Sequence, residues 1–268
     1  MNNTFGFIGT GNMGGALARA AAKCMAPEAL FLANRTPAKA QAMAAELGCT
    51  VADNAWIAAH CGFIFLGVKP QMMAGVLAEL APVLAQRQDR AVLVSMAAGL
   101  TIETLQQMAG GDYPVIRSMP NTPVAVGSGV ISYDRSDNVT EDELALFCEN
   151  MAEAGLWDFL PERLMDAGSA VAGCGPAFAA MFLEALADGG VACGLPRAKA
   201  MEYAAQMLIG TAKLAMESGQ HPGQLKDAVC SPGGATIAGV RALEQGAFRA
   251  SAIEAVIAAY RRTKELGK

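Results

Sequence analysis

The sequence predicts an α/β fold in two parts, with a doubly wound parallel sheet over residues 1–160 and an all-α domain over residues 161–268. Three observations support this prediction. An apolar run meets a glycine-rich turn at the N-terminus, apolar runs then alternate with helical stretches, and strand signals end near Pro161. Repeated strand–helix units of this spacing are typical of parallel sheets with right-handed crossovers.

The first element is a short apolar strand that ends at Ile8 and runs into Gly9, Gly11 and Gly14, in the pattern G-x-G-x-x-G. An alanine-rich helix is predicted from Gly15 to about Cys24. This order is the context of a Rossmann-type dinucleotide site, because the glycines permit a tight turn, close approach of a pyrophosphate and close helix packing. The free N–H groups at the helix N-terminus would face the phosphates. The alternative is a glycine-rich turn that binds no ligand.

The second strand, Leu30–Ala33, ends in Asn34, Arg35 and Thr36. NAD sites usually place a carboxylate at this point to hold the ribose 2′-hydroxyl, and none stands here. Arg35 can neutralise a phosphate in a forked geometry, which favours NADP(H) over NAD(H). The alternative is that Arg35 is an ordinary surface arginine near a helix start.

The remaining elements follow in alternation. Further strands are predicted at Thr50–Val51, Phe63–Leu66, Ala91–Ser95, Pro114–Ser118, Gly127–Tyr133 and Gly155–Phe159. Helices of the first part are predicted at Pro37–Leu47, Asn54–Ala59, Gln71–Ala85 and Thr101–Ala109, with one more capped by Thr140 and Glu143. Helices of the second part are predicted at Arg163–Ala172, Pro176–Cys193, Pro196–Ser218, Pro222–Val229, Thr236–Glu244 and Ser251–Leu266.

Three buried strands of the first part end in loops that are rich in small residues or proline. Ligands of open α/β sheets bind outside the carboxyl ends of the strands. The loops 67–70, 95–99 and 118–123 are therefore expected to line the nicotinamide side of a cofactor site. Lys69, the one ionisable group in these loops, is either a cofactor contact or a solvated lysine.

Composition limits the class of protein. Hydrophobic residues make up 53% and charged residues 17% of 268 residues, so a large core is expected, and a net charge of −5 without a basic run argues against nucleic acid and anionic membranes. We expect no signal peptide and no apolar run of membrane-spanning length. Seven scattered cysteines and two histidines predict a reduced, cytoplasmic protein without a metal site.

The helices of the second part are unusually apolar, above all Pro176–Val191. A helix of this kind is buried on most sides, and one copy of a short helical domain cannot cover several of them. A homodimer with intertwined helical domains is the predicted solution, and a compact monomer is the alternative.

General acids and bases are scarce. His60 ends a helix and His221 lies in a turn, so no histidine–carboxylate pair is evident. This argues against a 2-hydroxyacid dehydrogenase, which needs a base near neutral pKa to remove the alcohol proton. A protonated C=N bond accepts hydride without such a group.

A second concentrated signal runs from Asp227 to Thr236 and contains Pro232, Gly233 and Gly234. Adjacent glycines at a helix N-terminus expose N–H donors that can bind a small carboxylate, and Thr236 would place a hydroxyl beside it. The alternative is a tight corner between two helices, with Thr236 purely as an N-cap.

These residues resemble the pyrroline-5-carboxylate reductase family along the whole chain. The matching stretches are Phe7–Gly14, Asn34–Thr36, Val68–Pro70, Met119–Pro123, Gly175–Ala177 and, most specifically, Leu225–Thr236. Cys174 is a small departure, because the family often has Ser at that position. The resemblance implies an N-terminal Rossmann domain, a C-terminal helical dimerisation domain, and dimers that commonly assemble into rings, often of ten chains.

The resemblance also implies the reaction, reduction of 1-pyrroline-5-carboxylate to L-proline with NADPH, or less readily NADH, as the last step of proline biosynthesis. In this family the active site is shared between one protomer's nucleotide domain and the helical bundle of the dimer. Carried onto this chain, Ser231 and the N–H groups of Gly233, Gly234 and Ala235 would hold the substrate carboxylate, and Thr236 Oγ would contact the ring nitrogen as the catalytic group. The cofactor residues would be Gly9, Thr10, Gly11, Asn12, Met13, Gly14, Asn34, Arg35, Thr36, Asn54, Val68, Lys69, Pro70, Ala97 and Pro120.

Two other functions stay open at this point. A β-hydroxyacid dehydrogenase would carry a catalytic lysine on the first long helix of the second domain, and Gly175–Met181 offers none. A non-catalytic NADP-binding regulator would have no need of an intact loop from Ser231 to Thr236.

Overall fold

The computed structural model describes residues 2–266 and contains one sheet of eight strands. The strands are β1 Phe5–Ile8, β2 Leu30–Ala33, β3 Thr50–Val51, β4 Phe63–Leu66, β5 Val92–Ser95, β6 Val115–Met119, β7 Gly129–Arg135 and β8 Gly155–Phe159. Their order across the sheet is β3-β2-β1-β4-β5-β6-β7-β8. The strands predicted from the sequence are therefore present, with shifts of one or two residues at several ends.

Twelve α-helices connect and follow the strands in the described part of the chain. They are α1 Asn12–Ala21, α2 Pro37–Leu47, α3 Asn54–His60, α4 Pro70–Leu84, α5 Ile102–Ala109, α6 Glu141–Asn150, α7 Glu162–Gly168, α8 Gly175–Ala192, α9 Arg197–Ser218, α10 Pro222–Ala228, α11 Ala235–Gln245 and α12 Phe248–Leu266. The predicted capping box of α6 is confirmed, because Thr140 and Glu143 each bond the other's backbone.

Strands β1 to β6 run parallel, as predicted. Strand β7 lies antiparallel to β6, with Arg117 opposite Asp134, and β8 runs parallel to β7. The link of residues 120–128 between β6 and β7 is shorter than the dozen or more residues that a parallel crossover needs. The chain therefore turns back, and the last two strands reverse the direction of the sheet.

The sheet is buried on both faces by helices. One hydrophobic cluster joins α1, α2 and α6 to Phe5, Phe7 and Phe65, and the other joins α3, α4 and α5 to Ile8 and Ile64. Rings stack within the first cluster, with 4.2 Å between the centroids of Phe7 and Phe65. Continuous apolar strands follow from this double cover.

Helix α1 begins three residues earlier than predicted, at Asn12, because Gly11 already acts as its N-cap. The helix predicted at 163–172 also differs. After α7, the turn Ser169–Gly173 is π-helical, and the Cys174 N–H donates to Ser169 O at 3.0 Å. An extra residue is thereby inserted into the helical ladder.

The described chain divides into two compact units. One comprises residues up to Cys174 together with those from Ala259, and contains the whole sheet; the other is Gly175–Ala258. Below they are called the sheet unit and the helical unit. The domain boundary near residue 160 stays a prediction.

The helical unit buries little of its own apolar surface. Of residues 175–258, all of which the structure describes, only Ala187, Ala200 and Ala204 are buried. Large apolar side chains are exposed on several of its helices: Met181, Leu195, Met201, Tyr203, Met207, Ile209, Leu214, Met216, Val229, Ile237, Leu243, Phe248 and Ile253. A surface of this size is typical of an interaction face.

The continuous helical stretch Glu162–Ala192 is 31 residues long and, by length and composition alone, apolar enough to cross a membrane. The prediction that no stretch reaches spanning length is thus corrected. A helix with so few polar residues must bury its apolar side chains, and contact with a protein partner can bury them as well as lipid can. One such helix is weak evidence of a membrane.

Candidate functional site

The glycine-rich turn after β1 has the geometry that a phosphate loop needs. Gly9 adopts φ +100°, a left-handed conformation that favours glycine, and its N–H donates to Ala33 O at 2.9 Å. A Cβ at Gly9 would lie 2.6 Å from Gly67 O, and a Cβ at Gly14 would lie 2.1 Å from Gly9 O. Both glycines are therefore required by close backbone packing.

Gly11 has open space instead, because a Cβ there would meet no atom within 4 Å. No side chain caps the N-terminus of α1, so the N–H groups of Asn12 and Met13 are available to a ligand. Beside them the hydroxyl of Thr10 is buried without a hydrogen-bond partner. Open space, free donors and an unsatisfied hydroxyl together fit a pyrophosphate.

The loop after β2 is tied to the phosphate loop through Asn34. Its Oδ1 accepts from the Thr10 N–H at 3.2 Å, and its Nδ2 donates to Thr36 O at 3.1 Å. Arg35 is exposed. It lines a cavity of about 420 Å³ together with Ala33, Asn34, Pro37, Ala40, Val51, Ala52, Asp53, Asn54 and Ala55. Arg35 and Asn54, both predicted cofactor residues, thus share one cavity beside the phosphate loop.

The loops after β4, β5 and β6 lie at one edge of the sheet, because these strands are adjacent and parallel. Val68, Lys69 and Pro70 follow β4, where Lys69 is exposed and Pro70 opens α4. Ala97 is buried and donates its N–H to Ser95 Oγ at 3.2 Å. Pro120, the fifth of these predicted residues, follows β6 directly. The predicted nicotinamide side is therefore assembled from three neighbouring loops.

The second predicted site lies in the helical unit, between α10 and α11. Gly233 adopts φ +70°, and the Gly234 N–H donates to Ser231 O at 3.0 Å, closing a tight turn. A Cβ at Gly234 would lie 2.4 Å from Ser231 Oγ. The N–H of Gly234, predicted as a carboxylate donor, is thus already engaged within the turn, whereas Gly233 and Ala235 have no such partner among the described residues.

Thr236 is not an N-cap. Gly234 occupies that position without any side-chain hydrogen bond, and α11 begins at Ala235. Thr236 therefore lies in the first helical turn and is exposed, and its hydroxyl makes no hydrogen bond to any described residue. The helix corner leaves both this hydroxyl and the first N–H groups of α11 available for a ligand.

Both histidines have structural partners. His221 Nδ1 accepts from the Gly223 N–H at 3.0 Å and caps α10, with Gln224 completing a capping box. His60 stacks on Trp56 at 4.5 Å between ring centroids, and its Nδ1 lies 2.9 Å from Trp56 O. Among residues 2–266 no cluster of three metal-ligating side chains occurs. The groups left free at the two predicted sites include the Thr10 hydroxyl and the first backbone N–H groups of α11.

Sequence reasoning did not single out an ion pair between a buried arginine and a half-buried glutamate, which lies next to the predicted nicotinamide-side loops. Arg117 on β6 has a side chain only 4% exposed and donates to Glu162 Oε1 at 2.7 Å. The same oxygen accepts the Ile102 N–H at 2.9 Å, at the start of α5. The one available signal was an arginine inside an apolar strand, which needs a partner when it is buried.

Comparisons with known proteins agree with this geometry. The family model described as "Pyrroline-5-carboxylate reductase dimerisation" matches residues 162–266, and "NADP oxidoreductase coenzyme F420-dependent" matches residues 4–99. The pyrroline-5-carboxylate reductase of Synechocystis is 43% identical, and that of Escherichia coli 38% identical, each over 100% of both chains.

Solved structures extend the match to the fold. The pyrroline carboxylate reductase of Plasmodium falciparum with NADP bound superposes with TM-score 0.87 at 32% identity, covering 100% of this chain and 99% of the other. A pyrroline-5-carboxylate reductase from Coxiella burnetii gives TM-score 0.90 at 30% identity over 100% of both chains. Identity at this level over the full length shows common descent as well as a common fold, and this chain belongs to the pyrroline-5-carboxylate reductase family.

Proposed function

We propose that this chain reduces 1-pyrroline-5-carboxylate to L-proline with NADPH, the last step of proline biosynthesis. The observation that carries the proposal is the corner from Ser231 to Thr236, where an uncapped helix N-terminus and a free hydroxyl lie side by side. A carboxylate and an imine nitrogen are the two polar groups of the substrate, and this corner offers a partner for each.

The sheet unit holds the cofactor in this proposal. Gly9 to Gly14 contact the pyrophosphate, with Thr10 giving its unsatisfied hydroxyl. Asn34, Arg35 and Thr36 surround the 2′-phosphate, and Asn54 lies in the same cavity. The remaining cofactor residues, Val68, Lys69, Pro70, Ala97 and Pro120, surround the nicotinamide side. NADH serves as the weaker substitute because it lacks the phosphate that Arg35 neutralises.

The substrate carboxylate is held by the Ser231 hydroxyl and by the N–H groups of Gly233 and Ala235. Gly234 contributes mainly by shape, since its N–H closes the turn and a side chain there would displace Ser231 Oγ. The positive end of the α11 dipole adds to the attraction.

The proposed hydride transfer needs no strong acid or base, because the C=N bond is already protonated. When bound, NADPH supplies a hydride to the carbon of the protonated C=N bond, which becomes the secondary amine of proline. Thr236 Oγ accepts from the ring N–H and holds the ring in place while its charge is neutralised. Orientation and electrostatics then supply most of the rate enhancement.

The helical unit self-associates, as expected of a chain that matches a dimerisation family over residues 162–266. We propose a homodimer that assembles further into rings such as decamers. The division of labour would be cofactor binding by residues 1–160 and dimerisation with substrate binding by residues 161–268. Seven free cysteines support a reduced, cytoplasmic location.

The test is oxidation of NADPH by the purified protein with 1-pyrroline-5-carboxylate, followed by nicotinamide absorbance. Thr236→Ala should lower kcat by roughly 10- to 1,000-fold, as expected for one polar group at a reaction centre, with NADPH affinity retained. Thr236→Ser, which keeps the hydroxyl, is the matched control and should recover most of the rate.

Gly234→Val should abolish substrate binding because its side chain displaces Ser231 Oγ. Normal substrate affinity in this variant would refute the carboxylate site. Absence of turnover in the folded wild-type protein that still binds NADPH would refute the proposed reaction itself.

A further inference from the structure

The loop that carries Pro120 also carries a buried asparagine, Asn121, for which the proposed reaction has no role. Asn121 is 7% exposed. Its Nδ2 donates to Ala172 O at 3.0 Å, and its Oδ1 accepts from the Val130 N–H at 2.9 Å. One side chain therefore joins three segments: the loop after β6, strand β7 and the π-helical turn Ser169–Gly173.

The two partners have opposite polarity, and this determines which side chain can serve. A backbone N–H can only donate and a carbonyl can only accept, so the residue between them must offer one acceptor and one donor. An aspartate in place of Asn121 would keep the bond to Val130 but set a carboxylate against the Ala172 carbonyl. The network also fixes the orientation of the amide group. A flipped amide would place its oxygen against the Ala172 carbonyl and its NH₂ group against the Val130 N–H.

The Ala172 carbonyl needs this donor for a reason visible in the sequence. In a regular helix it would accept from the N–H four residues on, and that residue is Pro176, which has none. The ladder is π-helical at this point, with Cys174 N–H bonded to Ser169 O. Asn121 thus supplies a donor to the Ala172 carbonyl where the proline removes one.

The same segment also supports the neighbouring loop. Glu162 opens α7 and accepts both the Ile102 N–H and the guanidinium of Arg117. Residues 162–172 therefore hold the loop after β5 at one end, through Glu162, and the loop after β6 at the other, through Asn121. Both loops belong to the proposed nicotinamide side, whereas the loops after β1 and β2 make neither contact.

We propose that Asn121 is a positioning residue for hydride transfer: its amide fixes the loop of Pro120 against β7 and the π-helical turn, and thereby fixes the wall beside the nicotinamide. The inference rests on the proposed function. It assigns Asn121 no contact with substrate or cofactor. Loss of the amide should therefore change the rate of hydride transfer more than the affinity for NADPH, whose adenosine end is held by other loops.

The chain offers a matched control in Asn150. This second buried asparagine is 6% exposed, and its Nδ2 donates to Asn3 Oδ1 and Leu146 O, both at 2.9 Å. It ends α6 and contacts the segment before β1, at the amino edge of the sheet. Asn121→Asp and Asn150→Asp make the same chemical change at similar burial, one beside the proposed site and one away from it.

The experiment compares kcat, the KM for NADPH and the thermal unfolding midpoint of the two variants in the full-length protein. We expect both variants to lower the midpoint by similar amounts. Asn121→Asp should lower kcat by about 10- to 100-fold, as small misplacements of reactants do, while the KM for NADPH changes less than about threefold. Asn150→Asp should keep kcat within about twofold of wild type.

Equal loss of kcat in both variants, or unchanged kcat in Asn121→Asp, would overturn the positioning role. If Asn121→Asp does not fold, Asn121→Ala removes the amide without adding a charge, and the same comparison applies with Asn150→Ala as its control. Enhanced fluorescence of bound NADPH reports the nicotinamide environment independently of turnover and should change in the Asn121 variants only. Failure of the wild-type protein to reduce the substrate is a separate result and refutes the proposed function instead.

Discussion

In the sheet unit, large side chains such as Phe5, Phe65 and Phe147 are fully buried, whereas in the helical unit, described in full, only Ala187, Ala200 and Ala204 are buried. Burial of apolar surface stabilises a fold by about 25 cal/mol per Å² of area removed from water, and alanines remove little. The sheet unit has a core of its own. The helical unit has apolar side chains of the kind found in a core, but they are exposed within one chain, and in the proposed homodimer a second copy covers them.

The proposed cofactor site therefore lies in a unit with its own core, whereas the proposed substrate site lies in a unit whose apolar faces are exposed within one chain. The phosphate loop, the loop of Arg35 and the three predicted nicotinamide-side loops all make hydrogen bonds inside the sheet unit. The loop of Thr236 lies in helices whose apolar faces are exposed within one chain. Cofactor binding should therefore survive changes that remove substrate turnover.

The largest expected effect follows from charging the exposed face of α9. Ile209 is 62% exposed, and Ile209→Glu would bury a carboxylate in the self-association face. We expect loss of the dimer and of nearly all turnover, since central apolar contacts contribute about 2 kcal/mol or more each. Sedimentation velocity measures the mass, and NADPH titration should show binding by the monomer.

Gln206→Glu is the control for that experiment, because it adds the same charge to an exposed polar position of α9. It should remain dimeric and active. A dimeric Ile209→Glu protein with wild-type kinetics would show that the exposed face of α9 is not part of the interface.

The next effect compares the stability that buried residues contribute in the sheet unit and in the helical unit. Phe65→Ala empties the centre of the aromatic cluster and should lower the free energy of unfolding by about 3–5 kcal/mol. Ala204→Gly, at a buried position of α9, should cost about 1 kcal/mol, mainly through helix propensity. Urea unfolding measures both, and similar losses would contradict the contrast between the units.

A smaller effect concerns cofactor choice. Arg35→Ala removes a charged hydrogen bond worth about 1.5–3 kcal/mol, so the KM for NADPH should rise by about 10- to 100-fold. The KM for NADH, which lacks the 2′-phosphate, should change little and serves as the internal control. Equal changes for the two cofactors would remove Arg35 from the 2′-phosphate site. The ratio of NADPH affinity to NADH affinity should be the same in monomeric Ile209→Glu as in the wild-type protein.

The smallest effect is a pH dependence of the sheet unit. Burial raises the pKa of Glu143, but hydrogen bonds from Arg90 and Thr140 outweigh it and hold the pKa below its usual range. A carboxyl whose pKa is depressed by folding adds stability above its unfolded pKa, near 4.3, and this stability is lost as the pH falls through the folded value.

Glu143→Gln should therefore destabilise the protein at pH 7 by about 1 kcal/mol, and the difference from wild type should vanish in acid. Thermal midpoints across pH 3–8 test this. Glu141→Gln, at an exposed position of the same helix, should change stability by less than about 0.5 kcal/mol. A pH-independent difference for Glu143→Gln would indicate that its packing, and not its charge, matters.

Much of the fold could be predicted because its signals are local. The apolar run before Gly9 and the capping residues Thr140 and Glu143 each act within a few positions of the chain. The reversal at β7 is a long-range choice, although the short link 120–128 was a usable signal. The π-helical turn was not predictable from periodicity, since one inserted residue leaves the apolar pattern almost unchanged.

The motifs of the candidate site were predictable from the sequence, but its hydrogen bonds were not. Gly233 and Gly234 indicated an anion site. Only the structure shows that the Gly234 N–H already closes a turn and that Gly234, not Thr236, is the N-cap of α11. Asn121 and Glu162 are ordinary polar residues in sequence. Each of them has partners 45 to 60 positions away, as in the pairs of Glu162 with Arg117 and Ile102 and the pair of Asn121 with Ala172.

The exposed helices also determine what oxidants do to an unpaired chain. Four methionines of the helical unit, Met181, Met201, Met207 and Met216, are between 37% and 81% exposed within one chain. Oxidation would convert these flexible apolar side chains into polar sulfoxides, which resist transfer into an apolar contact. Damage before assembly would therefore be self-perpetuating, because an oxidised chain pairs poorly and stays accessible to further oxidant. Peptide mapping after peroxide treatment should find these four methionines protected in the wild-type protein, through the proposed dimer contact, and oxidised in Ile209→Glu.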